Sequence, residues 1–198
     1  MRKKVLAAAL LASPLLAIAS GNLIHNGSFE ADTQAGGSWS ILSGLSGWSA
    51  GGLGVELRNG VSGSALDGSN FVELDTTGNS WISQTFASVA GQTYQLSFSY
   101  AQRPDHLGAA SNGLAWSAGN VSNAAVGQDG NTGWTTVTAY FTATANSTTL
   151  SFSALGKSDS MGTSLDKVSV SAVPEPESYA LMLAGLAVVG LIARRRQR

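Results

Sequence analysis

The stretch YQLSFSY, residues 94–100, gives the clearest indication of the fold of this chain. Tyr94, Leu96, Phe98 and Tyr100 alternate in it with a glutamine and two serines. Because successive side chains of a β-strand point to opposite faces of a sheet, this pattern predicts a strand with one apolar and one polar face. Such a strand covers a hydrophobic core on one side and meets solvent on the other.

The same alternation recurs between residues 20 and 172, where no helical periodicity is visible. It predicts further strands, with Gly-rich turns between them, at Gly54–Arg58, Asn70–Asp75, Ile82–Phe86, Val137–Thr142, Leu150–Ala154 and Ser164–Ser171. Many short strands with one apolar face each predict an all-β protein, an antiparallel jelly-roll β-sandwich. A closed barrel is the alternative.

A long polar stretch between residues 103 and 132 interrupts this pattern. It is rich in glycine and asparagine, and Gly113–Ser117 is the one weak strand that it predicts. A long irregular segment in a compact domain is either a functional loop or disorder.

The N-terminal segment, residues 1–19, has the pattern of a secretory signal peptide. Three basic residues at 2–4 precede an apolar stretch, Val5–Ile18, and Ala17–Ala19 is a small-x-small cleavage signal. This pattern predicts export, with cleavage before Ser20.

The C-terminal segment, residues 173–198, combines three features in a fixed order. Val173, Pro174, Glu175 and Pro176 begin the segment, an apolar run covers residues 179–193, and arginines follow it. The run is predicted as a short transmembrane helix, although its length as a helix is only about 22 Å against a hydrocarbon core of roughly 30 Å. The arginines act as a stop-transfer signal.

This order of features resembles the PEP-CTERM sorting tail, found on exported proteins of many Gram-negative bacteria. The resemblance covers residues 173–198. It implies that a membrane-embedded exosortase processes the chain near Pro174–Pro176, and that the tail holds the chain in the membrane until then. An ordinary C-terminal membrane anchor is the alternative.

The charge balance changes once both terminal segments are set aside. The whole chain has a formal net charge of −1, but residues 20–173 hold ten acidic and four basic residues, a net charge of −6. Such a domain is a poor partner for nucleic acid or anionic lipid. The chain has no cysteine, which excludes disulfides, thiolate metal sites and cysteine nucleophiles.

The two ends of the domain resemble a known family. The N-G-x-F-E pattern at Asn26–Glu30, the later Trp48 and the D-x-V-x-V pattern at Asp166–Val170 are similar to galactose-binding-like jelly rolls, which include carbohydrate-binding modules. The resemblance implies this fold for residues 20–172, and it implies that the first and last strands meet. It also implies a structural calcium ion between them, for which Glu30 and Asp166 are the matching oxygen ligands.

Sugar binding requires an exposed aromatic face and polar groups that bind hydroxyls. The aromatic candidates are Trp39, Trp48, Trp81, Trp116 and Trp134. Trp116 is the preferred platform, because it lies in the Gly/Asn-rich stretch where burial is least assured. Arg103, Tyr100 and Arg58 complete the predicted ligand-binding set.

The sequence offers little for catalysis. Gly-x-Ser-x-Gly, His-Glu-x-x-His and phosphate-binding loops are absent, and a carboxylate pair such as Glu56 and Glu73 would be the only basis for a glycosidase. We expect an exported, non-catalytic surface or matrix protein of a Gram-negative bacterium, associated with exopolysaccharide or biofilm and binding carbohydrate. The alternatives are a purely structural or adhesive surface protein and, third, a polysaccharide hydrolase.

Overall fold

A computed structural model describes residues 21–126, 133–174 and 176–196. It confirms the all-β prediction, with two antiparallel sheets that pack face to face. The strands are β1 (Ser38–Leu42), β2 (Gly44–Leu45), β3 (Trp48–Ala50), β4 (Val55–Asn59), β5 (Asn70–Glu73), β6 (Trp81–Ala87), β7 (Thr93–Ala101), β8 (Gly113–Ala118), β9 (Val121–Val126), β10 (Thr135–Thr142), β11 (Ser147–Ala154) and β12 (Ser164–Ala172). The predicted signal peptide, residues 1–19, lies outside the described residues.

Each sheet has six strands, so the fold is a sandwich rather than the alternative closed barrel. Sheet A has the order β1-β4-β5-β12-β7-β10, and sheet B has the order β2-β3-β6-β11-β8-β9. All pairings are antiparallel.

Strand β7 lies inside sheet A and carries the centre of the core. Leu96 and Phe98 are completely buried, as the alternation predicts. The Phe98 ring meets Phe152 of sheet B at 4.9 Å and Trp116 of sheet B at 5.9 Å between centroids. These edge-to-face contacts join the two sheets, because each ring comes from the inward face of its strand.

The stretch after Arg103 is more regular than the sequence predicts. The weak strand is present as β8, and a second strand, β9, pairs with it to form a hairpin. Gly119 turns the hairpin with a φ of +59°, a conformation that glycine adopts without steric cost. The prediction of a long irregular segment is therefore wrong for this part, since strand pairing orders it.

The N-G-x-F-E pattern has a structural explanation. Asn26 and Phe29 have φ values of +55° and +61°, and Phe29 is completely buried. A Cβ on Gly27 would lie 2.0 Å from the carbonyl oxygen of Val168, whose own N–H donates to the Gly27 carbonyl at 2.8 Å. Only glycine permits this approach, so the first segment of the domain lies directly on its last strand.

The C-terminal segment forms one helix, α1 (Pro176–Arg196). Within the described part of the chain, no helix combines the length and the hydropathy that a membrane crossing requires. The short transmembrane helix predicted at residues 179–193 is not confirmed.

Candidate functional site

The outer face of sheet A points away from the core. At the edge formed by β1, β4 and β5 it carries charged side chains. Register places Trp39 of β1 beside Arg58 of β4, and Ile41 beside Glu56. Glu56 in turn pairs with Glu73 of β5. Because directly opposed residues of an antiparallel pair share a face, these side chains form one continuous patch.

Three of these residues form a buried ion-pair cluster. The Arg58 Nε donates to Glu56 Oε1 at 2.5 Å, and its Nη2 lies 2.6 Å from Glu73 Oε2. Arg58 is 1% exposed and Glu73 is fully buried. One guanidinium thus lies between two desolvated carboxyl groups, and removing it would leave both without their common partner.

Burial raises the pKa of Glu73 from its ordinary value of 4.5 to about 8, against the opposing charge of Arg58 and a hydrogen bond from the Gly162 N–H. The physical cause is that water no longer solvates the ionised carboxylate.

A cleft of about 210 Å³ opens over this cluster. Trp39, 52% exposed, and Ile41 contribute apolar surface, while Glu56 and Arg58 contribute polar groups. The Nη1 atom of Arg58 is buried and has no hydrogen-bond partner in the described part of the chain. Buried donors are normally paired, so this atom is a candidate donor to a molecule in the cleft once the side chains that cover it move aside.

Arg103 forms another wall of the cleft and fastens three loops to the sheet. Its Nε donates to Asp105 at 2.8 Å, its Nη2 to the Ser62 hydroxyl at 3.1 Å and its Nη1 to the Ser160 carbonyl at 3.4 Å. The same Nη1 lies 3.4 Å from Glu73 Oε2. Arg103 therefore positions the rim and has little free hydrogen-bonding capacity.

A second cleft, of about 350 Å³, lies beside the first on the same face. Phe71, Ala101 and Ser164 are its sheet residues, and Trp134 lines it from the segment before β10. The Trp134 ring is edge-on to Phe71 at 6.1 Å, and its Nε1 donates to the Ser64 carbonyl. Val61 lines the first cleft and residues 62–64 line the second, so this short segment lies between the two.

The structure brings together two of the four predicted ligand residues. Arg58 and Arg103 line one cleft, whereas Tyr100 is half-buried against the core. Trp116 is only 5% exposed and faces inward from β8, so the expectation that it is exposed is wrong. Pairing of β8 with β9 and β11 orients its ring toward Phe98.

Trp39 is one of the five tryptophans that the sequence offers as aromatic platforms, and the preference for Trp116 passed over it. It precedes the strands recognised by alternation, although Trp39 and Ile41 are themselves two positions apart and share a face. That spacing was the available signal, but it spans too short a segment to stand out beside the longer strands.

Glu30 and Asp166, the predicted calcium ligands, both hold the loop at residues 66–70. Asp166 Oδ2 accepts the N–H groups of Leu66 and Asp67, and Glu30 Oε1 accepts those of Ser69 and Asn70. Burial raises the pKa of Asp166 to about 6. Within the described residues no group of three or more metal-binding side chains occurs, and the calcium ion stays a prediction.

Solved structures similar to this chain share its sandwich. The Stig cyclase Fisc from Fischerella sp. TAU, solved with (3Z)-3-(1-methyl-2-pyrrolidinylidene)-3H-indole, is 16% identical, with a TM-score of 0.57 over 79% of this chain and 98% of that one. A Family 16 carbohydrate-binding module is 17% identical, with a TM-score of 0.50 over 75% of this chain and 99% of that one. At these identities the likeness shows the fold alone.

An arabinose-bound α-L-arabinofuranosidase, MgGH51, is 14% identical, with a TM-score of 0.53. The match covers 81% of this chain but only 27% of that enzyme. No curated protein matches the sequence.

Family models account for nearly all of the chain from Asn22 onward. The PEP-CTERM protein-sorting motif matches residues 172–197, which confirms the predicted tail and marks an exported protein. The model described as "Protein of unknown function (DUF642)" matches residues 22–171, which include all twelve strands except the last residue of β12. The chain therefore belongs to the DUF642 family.

Proposed function

We propose that this chain is an exported, non-catalytic glycan-binding protein, and that the cleft over Arg58 on sheet A binds the sugar. The observation that carries the proposal is the juxtaposition of the half-exposed Trp39 with the unpaired Nη1 of Arg58. An indole face packs on sugar C–H groups, and a fixed guanidinium donor binds a hydroxyl oxygen.

The ionic cluster supports this role by fixing the donor in place. Arg58 is held on two sides by Glu56 and Glu73, so its guanidinium is already fixed in place when a ligand arrives. Preorganised polar groups lose less entropy on binding than free side chains do. The shared fold with a Family 16 carbohydrate-binding module is consistent with a sugar ligand.

The arrangement of the two carboxylates favours binding over catalysis. The raised pKa of Glu73 would suit a general acid, but its Oε1 accepts the Gly162 N–H, and its Oε2 lies against Arg58 and Arg103. Glu73 is fully buried and does not line the cleft. A bound sugar would therefore contact Glu56 and not Glu73, which leaves no acid–base pair at the ligand.

The proposed location is the envelope or extracellular matrix of a Gram-negative bacterium, in association with exopolysaccharide or biofilm. The sorting motif at residues 172–197 supports this location. An exosortase would process the chain near Pro174–Pro176, and the tail would hold it at the membrane until then.

We include in this proposal a structural calcium ion at Glu30 and Asp166. Glu30 Oε2 has no hydrogen-bond partner among the described residues, and carboxylate oxygens are the ligands that calcium prefers.

Affinity gel electrophoresis tests the glycan proposal. The full-length chain is run through gels that contain soluble polysaccharides, both neutral (galactan, arabinan, β-glucan, mannan) and acidic (alginate, polygalacturonate). We expect retardation by at least one of them and, for Trp39→Ala, roughly tenfold weaker binding, about 1.4 kcal/mol. Tyr140→Ala is the matched control, because Tyr140 is 58% exposed on the same sheet but lines neither cleft.

If no polysaccharide retards the chain, or if Trp39→Ala and Tyr140→Ala behave alike in every gel, the cleft is not a sugar site. A purely structural or adhesive role then becomes the better proposal. For the tail, mass spectrometry of the mature protein should find a C-terminus near residues 173–177, and an intact tail in the membrane fraction would indicate a simple anchor.

A further inference from the structure

The outer face of sheet B carries a row of serines that the proposed sugar cleft does not involve. The pairing registers place one serine from each of five adjacent strands side by side, with every side chain on the outer face. These residues, the serine row, are Ser49, Ser83, Ser151, Ser117 and Ser122 in spatial order. At the usual strand spacing the row extends roughly 19 Å across the sheet.

The hydroxyls of this face are ordered by one another. Ser117 Oγ lies 2.8 Å from Ser151 Oγ, and in a neighbouring register Thr85 Oγ1 lies 2.8 Å from Thr149 Oγ1. Each hydroxyl has one donor and two acceptor positions, so such a pair still has hydrogen-bonding capacity toward solvent. A groove of about 320 Å³ lies over the Ser117 end of the row.

The face is uncharged and has one aromatic platform. None of the six strands of sheet B contains an acidic residue, a basic residue or a histidine. Trp81 is 45% exposed in the register next to the row, where it opposes Ser153. Its indole lies close to Gly51, where a Cβ would be 2.9 Å from the indole nitrogen.

These observations favour one class of occupant. A charged polymer would find no counter-charge here, and a second copy of the chain would need an apolar centre to its interface. Trp81 is the one large apolar side chain exposed on the described strands of this sheet. Ordered hydroxyls beside an indole face suit the hydroxyls and C–H groups of a neutral sugar chain.

We infer that the serine row and Trp81 form a second glycan-binding surface, for a neutral polysaccharide lying across the strands of sheet B. With the sheet A cleft on the opposite outer face, one domain then holds two polysaccharide chains and cross-links them. The cross-link rests on the proposed function of the cleft, whereas the second surface does not.

The test uses the full-length chain with soluble neutral galactan, arabinan, β-glucan and mannan. Affinity electrophoresis measures binding, and light scattering of protein–polysaccharide mixtures measures cross-linking. The double variant Ser83→Lys/Ser151→Lys places two charges, which resist desolvation, in the middle of the row. A second double variant, Ser49→Lys/Ser122→Lys, places the charges at the exposed ends of the row and serves if the first variant does not fold. Thr138→Lys is the matched control, an exposed outward position on β10 of the other sheet.

We expect the wild type to bind and to cross-link a neutral polysaccharide. The row variants and Trp81→Ala should keep the binding that depends on Trp39 but lose cross-linking, with overall binding weakened roughly tenfold or more through lost avidity. Trp39→Ala should also lose cross-linking and keep binding through the row. Variants of both surfaces together should not bind.

Two results overturn the inference and leave the cleft standing: row variants that cross-link as the wild type does, or a Trp39→Ala variant that loses all binding. The opposite pattern, in which row variants lose all binding and Trp39→Ala loses none, confirms the row and overturns the cleft. If no neutral polysaccharide in the panel binds, the serine row is not a glycan surface.

Discussion

The two outer faces of the sandwich are built from opposite chemistry on the same scaffold. Near one edge, sheet A carries a guanidinium between two buried carboxylates. Sheet B has no charged residue in its strands and orders its outer face through hydroxyl pairs. The inward positions of this fold therefore determine the sandwich, while the outward positions are free to become either a rigid ionic site or a neutral hydroxyl surface.

The two faces should also differ in how they respond to substitution. Each member of the ionic cluster is desolvated and depends on the others, so losing one leaves buried polar or charged groups without a partner. A serine on the other face loses at most one exchangeable hydrogen bond, and water replaces it.

Replacing Arg58 should have the largest effect. Arg58→Leu leaves Glu56 and Glu73 without their common partner, and we expect the free energy of unfolding to fall by about 3–5 kcal/mol. Urea denaturation followed by tryptophan fluorescence measures this change. Arg103→Leu is the matched control and should cost less, because its contact with Glu73 is longer, at 3.4 Å against 2.6 Å.

An Arg58→Leu protein as stable as the wild type would contradict the proposed difference between the two outer faces. It would show that the two carboxylates find enough solvent or protons to do without the guanidinium, and that the face of sheet A is no more constrained than that of sheet B.

Stability should fall as the pH rises, and the cause should lie on sheet A. The pKa of Glu73 is about 8 in the folded protein against an ordinary 4.5, and that of Asp166 is about 6 against 3.8. The folded state therefore keeps protons that the unfolded chain has already lost. Each group contributes its whole share of the free energy of unfolding below its ordinary pKa. The contribution of Asp166 is lost as the pH rises through about 6, and that of Glu73 as the pH rises through about 8.

Differential scanning calorimetry between pH 5 and pH 8.5 measures this fall. Glu73→Gln, which is neutral at every pH, should flatten the upper part of the curve, and Asp166→Asn should flatten the part below pH 6. A Glu73→Gln protein whose melting temperature falls as steeply as that of the wild type would place the cause elsewhere.

Much of the fold was predictable from local pattern. Alternation in YQLSFSY predicted β7, and similar patterns predicted β4, β5, β6, β10, β11 and β12. Trp116 shows where local pattern fails. It lies in a weak predicted strand of a Gly/Asn-rich stretch where burial was least assured, whereas pairing with β11, a strand distant in the sequence, turns the ring into the core.

The candidate site was predictable in part. Arg58 ends one predicted strand and Arg103 closely follows another, and both are among only four basic residues between positions 20 and 173. Glu73 joins the two arginines, because its carboxyl group contacts both. Pairing of β4 with β5 places Arg58 near Glu73, and Arg103 reaches Glu73 from just beyond the end of β7. Such pairing between distant strands depends on tertiary structure, so neither the ionic cluster nor the position of Trp39 beside it follows from the sequence.

Calcium removal tests the link between the first and last segments of the domain. We expect a chelator to lower the melting temperature. A bound ion adds about 2.7 kcal/mol to the free energy of unfolding when the free calcium concentration is 100 times the Kd. Added calcium should restore the melt, and Glu30→Gln should remove the response to chelator. An unchanged melt in the wild type would show that the N–H groups of residues 66–70 are sufficient partners for Glu30 and Asp166.

The smallest effect should come from the serine row. Ser151→Ala removes the hydrogen bond to Ser117, and we expect a loss of about 1 kcal/mol or less. Its neighbour Phe152, on the inward face of the same strand, is the matched control, since Phe152→Ala should cost about 3–5 kcal/mol. Urea denaturation of both variants compares the two faces of one strand. If Ser151→Ala cost as much as Phe152→Ala, the hydroxyls would be part of the structural framework of sheet B, and its outer face would be no freer to acquire a binding function than the ionic face of sheet A.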